Sequence, residues 1–238
     1  MKKIGFALLG LVTGGMLLTS CLKTEDNTPD IPVAGLMAFN LATDKEGITI
    51  NLSGNNINNQ PLAFGNYTGG YVNIYPGTRP TMAIDAYSGA AITSTTNYTY
   101  DSSRYYSLFT IGADSNYSNI IVEDGLDSLD LMAGKAWVRF IHAIPDSGQA
   151  VILLSAAGSG NITENSSFGT VSEFAAVNAG EITVSISNDA NINVSRTFAA
   201  AENKVYTVLL MGDPNATDPG RAVQIKYIVN GTVTDNNN

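Results

Sequence analysis

Two stretches of this chain, about 100 residues apart, carry the same short motifs in the same order. A spacing of this size is that of one sandwich domain. The aligned segments are Leu36–Ala42 with Trp137–Ala143, Ile50–Ser53 with Ile152–Ser155, Phe64–Gly65 with Phe168–Gly169, Tyr71–Gly77 with Phe174–Gly180, and Tyr106–Gly112 with Tyr206–Gly212. Because the order is kept over the whole length, the sequence predicts a tandem duplication.

Apolar and polar residues alternate with a period of two inside both repeats. Ile48, Ile50 and Leu52 alternate with polar residues, as do Ile182 and Val184. This period is typical of strands with one buried and one wet face. The fold class predicted is all-β, with two tandem Ig-like antiparallel β-sandwiches of about seven strands each. In the second repeat we expect strands near 136–143, 149–155, 171–177, 181–187, 193–199, 203–211 and 222–229.

The chain divides into five predicted segments. Lys2 and Lys3 precede an apolar run that is shorter than the ~20 residues of a spanning helix, which indicates a secretory signal. A polar stretch with two prolines follows, as expected of a flexible tether. The boundaries are 1–20 for the signal peptide, 21–33 for the lipidated cysteine and acidic tether, 34–130 and 131–232 for the two repeats, and 233–238 for a disordered polar tail.

Leu18-Thr19-Ser20-Cys21 resembles the lipobox of bacterial lipoproteins. The resemblance implies cleavage between Ser20 and Cys21 and attachment of a diacylglycerol to the Cys21 sulfur. Cys21 is the only cysteine, so it cannot form an internal disulfide. The alternative is an ordinary secretory signal with an unrelated cysteine. We expect localisation in the cell envelope, with the lipid in the outer membrane. The protein could lie on the inner or the outer face of that membrane.

Charge and composition narrow the choice of partners. Loss of residues 1–20 removes two lysines and no acid, which takes the net charge from −9 to −11. Nucleic-acid binding needs clustered Lys and Arg, so this balance argues against it. The partners expected are the membrane, through the lipid on Cys21, and a polysaccharide or an envelope protein.

Val138–Asp146 (VRFIHAIPD) resembles the opening signature of the bacterial domain-of-unknown-function family four-three-nine-seven. The resemblance implies an Ig-like sandwich in exported, often tandem envelope proteins, and it implies no activity. Within it, Arg139, His142, Pro145 and Asp146 form a structural motif. The first repeat departs from the signature, since in our alignment Ala38 stands at the arginine position and Leu41 at the histidine position.

His142 is the only histidine, and the strand pattern places it on the same face as Val138 and Phe140. One interpretation is a general base or metal ligand; the favoured one is a hydrogen-bonded core residue near the turn at Pro145 and Asp146. Catalysis or metal binding would need further groups that no second His or Cys can supply. Tyr106 and Tyr206 each begin a strand where a tyrosine corner is expected.

Tyrosine is concentrated in the first repeat, where nine of the 11 lie between Tyr67 and Tyr117. Aromatic faces stack on sugars and are enriched at binding surfaces. Packing accounts for most of them, and Tyr71, Tyr75 and Tyr98 are the candidates for ligand-facing aromatics.

Carboxylates cluster between the repeats at Glu123, Asp124, Asp127 and Asp130. A calcium ion would suit oxygen ligands, but the spacing matches no calcium loop, so we predict no metal site. Asp127-Ser128-Leu129 is similar to an O-glycosylation site of some Gram-negative lineages, which makes Ser128 a candidate for modification.

Together these features predict a binding or adhesion module on the cell envelope, with a glycan as one candidate ligand. The alternative is a structural or accessory subunit of an outer-membrane assembly. We expect no enzymatic activity and no cofactor, because a nucleophile-elbow motif is missing from the sequence and only one histidine is present.

Lys23-Thr24-Glu25-Asp26 is similar to acidic signals that direct lipoproteins to the outer face of the outer membrane, although a solvated linker would also be acidic. If it is such a signal, replacing Glu25 and Asp26 with Ala should protect the protein from protease added to intact cells. Unchanged accessibility would contradict surface sorting by these residues.

Overall fold

The computed structural model describes residues 31–145, 150–158 and 161–234. The signal segment, Ser20, Cys21, Asp146 and most of the tether lie outside this part of the chain. The described residues from Pro32 onward form one compact body. Apart from a single 3-10 turn at Leu126–Ser128, the regular structure of the described residues is entirely β. Within these ranges, no helix has the length and apolarity required to cross a bilayer.

The first repeat contains two facing sheets. One has the strand order β5-β1-β8-β9, and the other has the order β3-β2-β6-β7, with β4 also paired to β2. The strands are β1 Ala34–Ala42, β2 Gly47–Leu52, β3 Asn55–Asn56, β4 Leu62–Ala63, β5 Val72–Ile74, β6 Gly77–Asp85, β7 Thr96–Tyr100, β8 Tyr105–Ala113 and β9 Asn116–Glu123.

The second repeat has the same plan, with sheets β13-β10-β16-β17 and β12-β11-β14-β15. Its strands are β10 Lys135–Ala143, β11 Ala150–Ala156, β12 Ile162–Ser166, β13 Ala175–Asn178, β14 Gly180–Ser187, β15 Asn193–Ala200, β16 Lys204–Met211 and β17 Gln224–Thr232. The predicted tandem sandwiches are confirmed. The sequence pattern missed β12, and it started β13 at residue 171, where Val171 makes only an isolated bridge to Ile141.

One strand pairing in each repeat is parallel. β1 runs parallel to β8, and β10 runs parallel to β16, whereas the other pairings are antiparallel. Alternation along a strand reports which face is buried but carries no information on the direction of the neighbour. The sheets are therefore mixed rather than purely antiparallel.

Three apolar clusters stabilise the body. Two of them lie inside the sandwiches, and the third lies between the repeats, where the outer faces of β1 and β8 meet those of β10 and β16. The third cluster consists of Met37, Phe39, Leu41, Phe109, Ile111, Ile141, Ala143, Leu209, Met211 and Ile228. Because these four strands are buried on both faces, they consist of near-continuous apolar runs, as is usual for strands at the centre of a layered structure.

The repeats face each other with pseudo-twofold symmetry. Ile111 and Met211 are equivalent residues of the two repeats. Ile111 lies near the end of β8, which runs parallel to β1, and Met211 lies at the end of β16, which runs parallel to β10. A Cβ on Gly65 would lie 2.5 Å from the Met211 side chain, and a Cβ on Gly169 would lie 3.6 Å from that of Ile111. Matching glycines thus meet matching residues of the opposite repeat, as in an isologous dimer interface.

The structure corrects the residue alignment of the two repeats. The corner tyrosines Tyr106 and Tyr206 lie opposite Leu36 and Val138, respectively. Arg139 therefore corresponds to Met37 rather than Ala38, and His142 corresponds to Asn40 rather than Leu41. The predicted alignment was wrong by one residue, a shift that places every side chain on the opposite face of a strand.

The tyrosine hydroxyls make the hydrogen bonds of a tyrosine corner. Tyr106 Oη accepts from the Asp101 amide at 2.8 Å, and Tyr206 Oη accepts from the Ala201 amide at 2.9 Å. Each bond joins a strand to the loop that precedes it, so both residues stabilise the sandwich.

Candidate functional site

Buried polar side chains meet at one point between the repeats. Arg139 extends from the face of β10 that carries Ile141, toward the first repeat, and only 3% of its surface is exposed. Its Nη2 lies 2.7 Å from Oδ1 of Asp124, at an angle too oblique for a hydrogen bond. This contact is an ion pair between the two repeats.

Four further side chains close a hydrogen-bond network around the pair. Arg139 Nη2 donates to Ser107 Oγ at 2.8 Å, and Arg139 Nε donates to Thr207 Oγ1 at 3.0 Å. Asp124 Oδ2 accepts from Ser107 Oγ at 2.9 Å and from Tyr71 Oη at 2.5 Å. Asn230 completes the network, because its amide donates to Tyr71 Oη at 3.2 Å and its Oδ1 accepts from Thr207 Oγ1 at 2.6 Å.

Aromatic rings and burial set the electrostatics of this network. The Arg139 guanidinium lies 4.4 Å from the centre of the Phe174 ring and 5.9 Å from that of Phe109, within the range of cation–π attraction. Burial, and then the negative charge of Asp124, raise the pKa of Tyr71 above its ordinary value. Tyr71 therefore stays neutral and can donate to the carboxylate.

The network breaks the symmetry of the two repeats. Arg139 has Met37 as its counterpart. Asp124 has Asn230 as its counterpart, since each follows the residue that pairs with a corner tyrosine. One side of the pseudo-twofold axis thus carries a charged pair, and the matching positions on the other side are neutral. The arrangement can hold the repeats in register, and its polar groups are occupied by one another.

His142 lies inside the second sandwich with none of its surface exposed. Its Nδ1 is 3.2 Å from the Ser166 carbonyl oxygen, and its backbone bonds to Gly169 and Thr170. The counterpart Asn40 is also buried, and its amide donates to the Leu62 carbonyl at 2.8 Å. A buried polar residue at this position therefore ties the first strand of each repeat to a short neighbouring strand, which is β12 in the second repeat and β4 in the first.

The other residues of the predicted motif that the structure describes, Arg139 and Pro145, do not form one site with His142. Pro145 follows β10 and is half-buried, and Asp146 lies outside the described residues. Arg139 and His142 lie on opposite faces of β10, because their positions differ by three and successive side chains of a strand alternate between its faces. No group of three or more His, Cys, Asp or Glu side chains suited to a metal ion occurs in the described ranges.

Three of the four residues of the acidic cluster pair with arginines. Glu123 and Asp127 both pair with Arg104 at the surface, whereas Asp124 pairs with the buried Arg139. Ser128 ends the 3-10 turn, is exposed, and donates to the Gly125 carbonyl at 2.6 Å. Its modification stays a prediction.

The three candidate aromatic residues lie in different surroundings. The Tyr71 hydroxyl belongs to the network between the repeats. Tyr75 is 62% exposed and lines a depression of about 230 Å³ with Arg79. Tyr98 packs against Tyr100 and Tyr106, with ring centres 5.1 and 5.7 Å away. They do not form one shared aromatic face.

A further pocket, of about 420 Å³, opens in the first repeat beside the Ile57–Pro61 segment. We call it the amide pocket because Asn58, Asn59, Gln60 and Asn66 line it, together with Tyr67 and Thr68. Its volume falls in the range of small-ligand sites. Sequence reasoning missed it, since asparagine in loops is common in this chain and the pocket forms only when two loops converge.

Sequence reasoning also missed most of the network between the repeats. Ser107 and Thr207 lie within apolar strands, and Asn230 follows an apolar run. A polar residue inside a strand that is otherwise apolar on both faces was the available signal. Recognising it required knowing that these strands are buried on both sides.

Comparison with protein-family models gives two matches along the chain. The model described as "Domain of unknown function (DUF4397)" matches residues 34–153 and residues 136–226. The starts of the two matches fall at β1 and β10, the first strands of the repeats. The comparison with curated proteins found no match.

The neutral counterparts Met37 and Asn230 provide templates for a double-mutant cycle. Arg139→Met or Asp124→Asn alone leaves a buried charge without its partner, which should lower the free energy of unfolding by about 3–5 kcal/mol. The double variant should recover to within about 1 kcal/mol of the wild type, because a neutral pair replaces the charged one. Urea denaturation monitored by circular dichroism measures all four proteins.

The matched control is Arg104→Met, which removes a partly exposed arginine from its pairs with Glu123 and Asp127. It should change the free energy of unfolding by at most about 1 kcal/mol. A double variant as unstable as the sum of the single variants would contradict the coupling of Arg139 and Asp124.

A second expectation concerns alkaline pH. Burial raises the pKa of Tyr100 from 10.0 to about 12, and the bond to Thr81 lowers it only in part. The pKa of Tyr100 is higher in the folded state than in the unfolded state. The contribution of Tyr100 to the free energy of unfolding is therefore complete below pH 10 and is lost as the pH rises through about 12. The free energy of unfolding should fall above pH 10 in urea titrations, and Tyr100→Phe should make the decline shallower. If the free energy of unfolding of Tyr100→Phe declined equally steeply, groups other than Tyr100 would be responsible for the decline.

Proposed function

Since this chain belongs to the DUF4397 family of domains of unknown function, in two tandem copies, we propose that it is a lipid-anchored envelope protein that acts as a rigid binding module. The family description names no activity. The proposal therefore depends on the chain's own residues, and a polysaccharide is the ligand class it favours.

The lipobox-like segment ending at Cys21 supports the anchor. An attached diacylglycerol holds the protein to a membrane, and the polar tether after it separates the folded body from the headgroups. The acidic balance of the chain argues against adsorption to anionic lipid through a basic patch. Attachment then rests on the lipid, and the surface of the folded body stays available for other contacts.

The observation that carries the binding role is the shared core between the repeats. Strands β1, β8, β10 and β16 are buried on both faces, and Arg139 and Asp124 pair across the junction. Two sandwiches joined in this way hold their outer loops in one geometry. Preorganised surfaces lose less conformational entropy on binding, which favours recognition.

The chemistry of the junction supports binding in preference to catalysis. Arg139, Asp124 and Tyr71 are the polar groups that a catalytic interpretation would use, and all three are occupied by hydrogen bonds within the interface. The amide pocket, by contrast, opens to solvent. The surface of the body therefore offers recognition groups, and its interior polar groups maintain the structure.

Membranes that carry the wild-type chain should retain added envelope polysaccharide, and membranes that carry Cys21→Ser should lose the protein to the soluble fraction. Sedimentation of labelled polysaccharide with the membranes measures both effects. Stoichiometric protein partners in crosslinked membranes, without polysaccharide binding, would contradict the proposal and favour an accessory subunit of an assembly.

A further inference from the structure

The amide pocket has hydrogen-bonding groups that the protein itself does not use. Asn58 holds the loop, because its Oδ1 accepts from the Ile50 amide at 2.8 Å and its Nδ2 donates to the Ile48 carbonyl at 3.2 Å. Asn59, Gln60 and Asn66 are exposed, and their side-chain amides make no hydrogen bond to any residue the structure describes. Each offers two donors and one acceptor oxygen to a ligand.

The wall of the pocket is held in place from the core. The Tyr67 ring stacks on Phe39, with ring centres 5.4 Å apart and an angle of 18° between their planes. Phe39 is buried in the cluster between the repeats. Thr68 accepts from the Ala38 amide at 3.2 Å and donates to the Gly70 carbonyl at 2.7 Å. The pocket thus has an ordered aromatic and hydroxyl wall, which Asn66 directly precedes in the chain, and Asn59 and Gln60 lie on the opposite loop.

The two repeats differ at this position. In the second repeat, β12 pairs with β11 from Ala150 to Leu154 along that edge of the sandwich. The corresponding depression there, next to Ser172 and Ala175, has about 20 Å³. In the first repeat, two-residue strands flank the Ile57–Pro61 loop in place of this long pairing. In this loop the Asn58 side chain bonds to Ile48 and Ile50 of β2, and the pocket beside the loop has about 420 Å³.

The lining of the amide pocket carries no charge. The protein carries 21 acidic and 12 basic residues, yet the described residues that line the amide pocket are all uncharged. Planar amides bind vicinal hydroxyls through paired donors and acceptors, and an aromatic ring packs on the apolar face of a sugar. A neutral polyhydroxylated ligand fits this lining better than an anion or a cation does.

We propose that the amide pocket is a binding site for a neutral saccharide, with Asn59, Gln60 and Asn66 as its hydrogen-bonding groups and Tyr67 as its aromatic wall. This inference rests on the proposed binding function and gives it a place and a ligand class. The first repeat is then the recognition domain, and the second repeat supports it through the shared core.

The test uses the full chain in detergent and a panel of glucose, galactose, mannose, maltose and cellobiose, with glucuronate as an anionic comparison. Saturation-transfer NMR identifies the sugars that bind, and calorimetry gives their affinities. We expect a neutral sugar to bind and glucuronate to bind more weakly. Replacing Asn59, Gln60 and Asn66 together with Ala should weaken binding by at least about tenfold.

The matched control replaces Asn165 and Asn193, two exposed asparagines of the second repeat, with Ala. Both variants should keep the wild-type circular dichroism and melting temperature, and the control should keep the wild-type affinity. An unchanged affinity in the triple variant would overturn the pocket assignment, and so would failure of every neutral sugar to bind. Retention of envelope polysaccharide on membranes by the triple variant would overturn this site alone and leave the binding function standing.

Discussion

The ion pair between Arg139 and Asp124 is the interaction on which the arrangement of the two repeats depends. A buried charge is tolerated only when a partner and hydrogen bonds replace its water, and here Ser107, Thr207 and Tyr71 provide them. Sliding one sheet over the other would separate the pair and expose each charge to an apolar surface. Apolar contacts stabilise the interface between the repeats, whereas the ion pair makes that interface specific for one register.

Duplication explains why such an interface exists. Two copies of one sandwich meet through the same face, so that Gly65 opposes Met211 and Gly169 opposes Ile111. The two copies also differ from each other. Near the axis, Met37 and Asn230 have neutral side chains where their counterparts form the charged pair, and at the rim the amide pocket occurs in the first copy, where the second has a depression of about 20 Å³.

This division gives the proposed function a physical basis. A lipid on Cys21 would hold the chain at a membrane, and the shared core would keep both repeats in one orientation. The buried polar groups are used for assembly, which leaves the surface loops of the first repeat for recognition. The motif that resembles the family signature also has a structural role, because Arg139 joins the repeats and His142 ties β10 to the end of β12.

The sequence by itself determined the strand pattern, the tandem repeat, the corner tyrosines and the lipobox-like segment, because each depends on local spacing. Tertiary structure decided the rest. Alternation cannot report the direction of a neighbouring strand. It also cannot show that the alignment of the two repeats is wrong by one residue, so that Arg139 corresponds to Met37. Asp124 and Ser107 belong to the first repeat and Asn230 belongs to the second, so these three residues meet only when the two repeats pack together. The pocket likewise exists only where separate loops converge, since volume is a property of the packed chain.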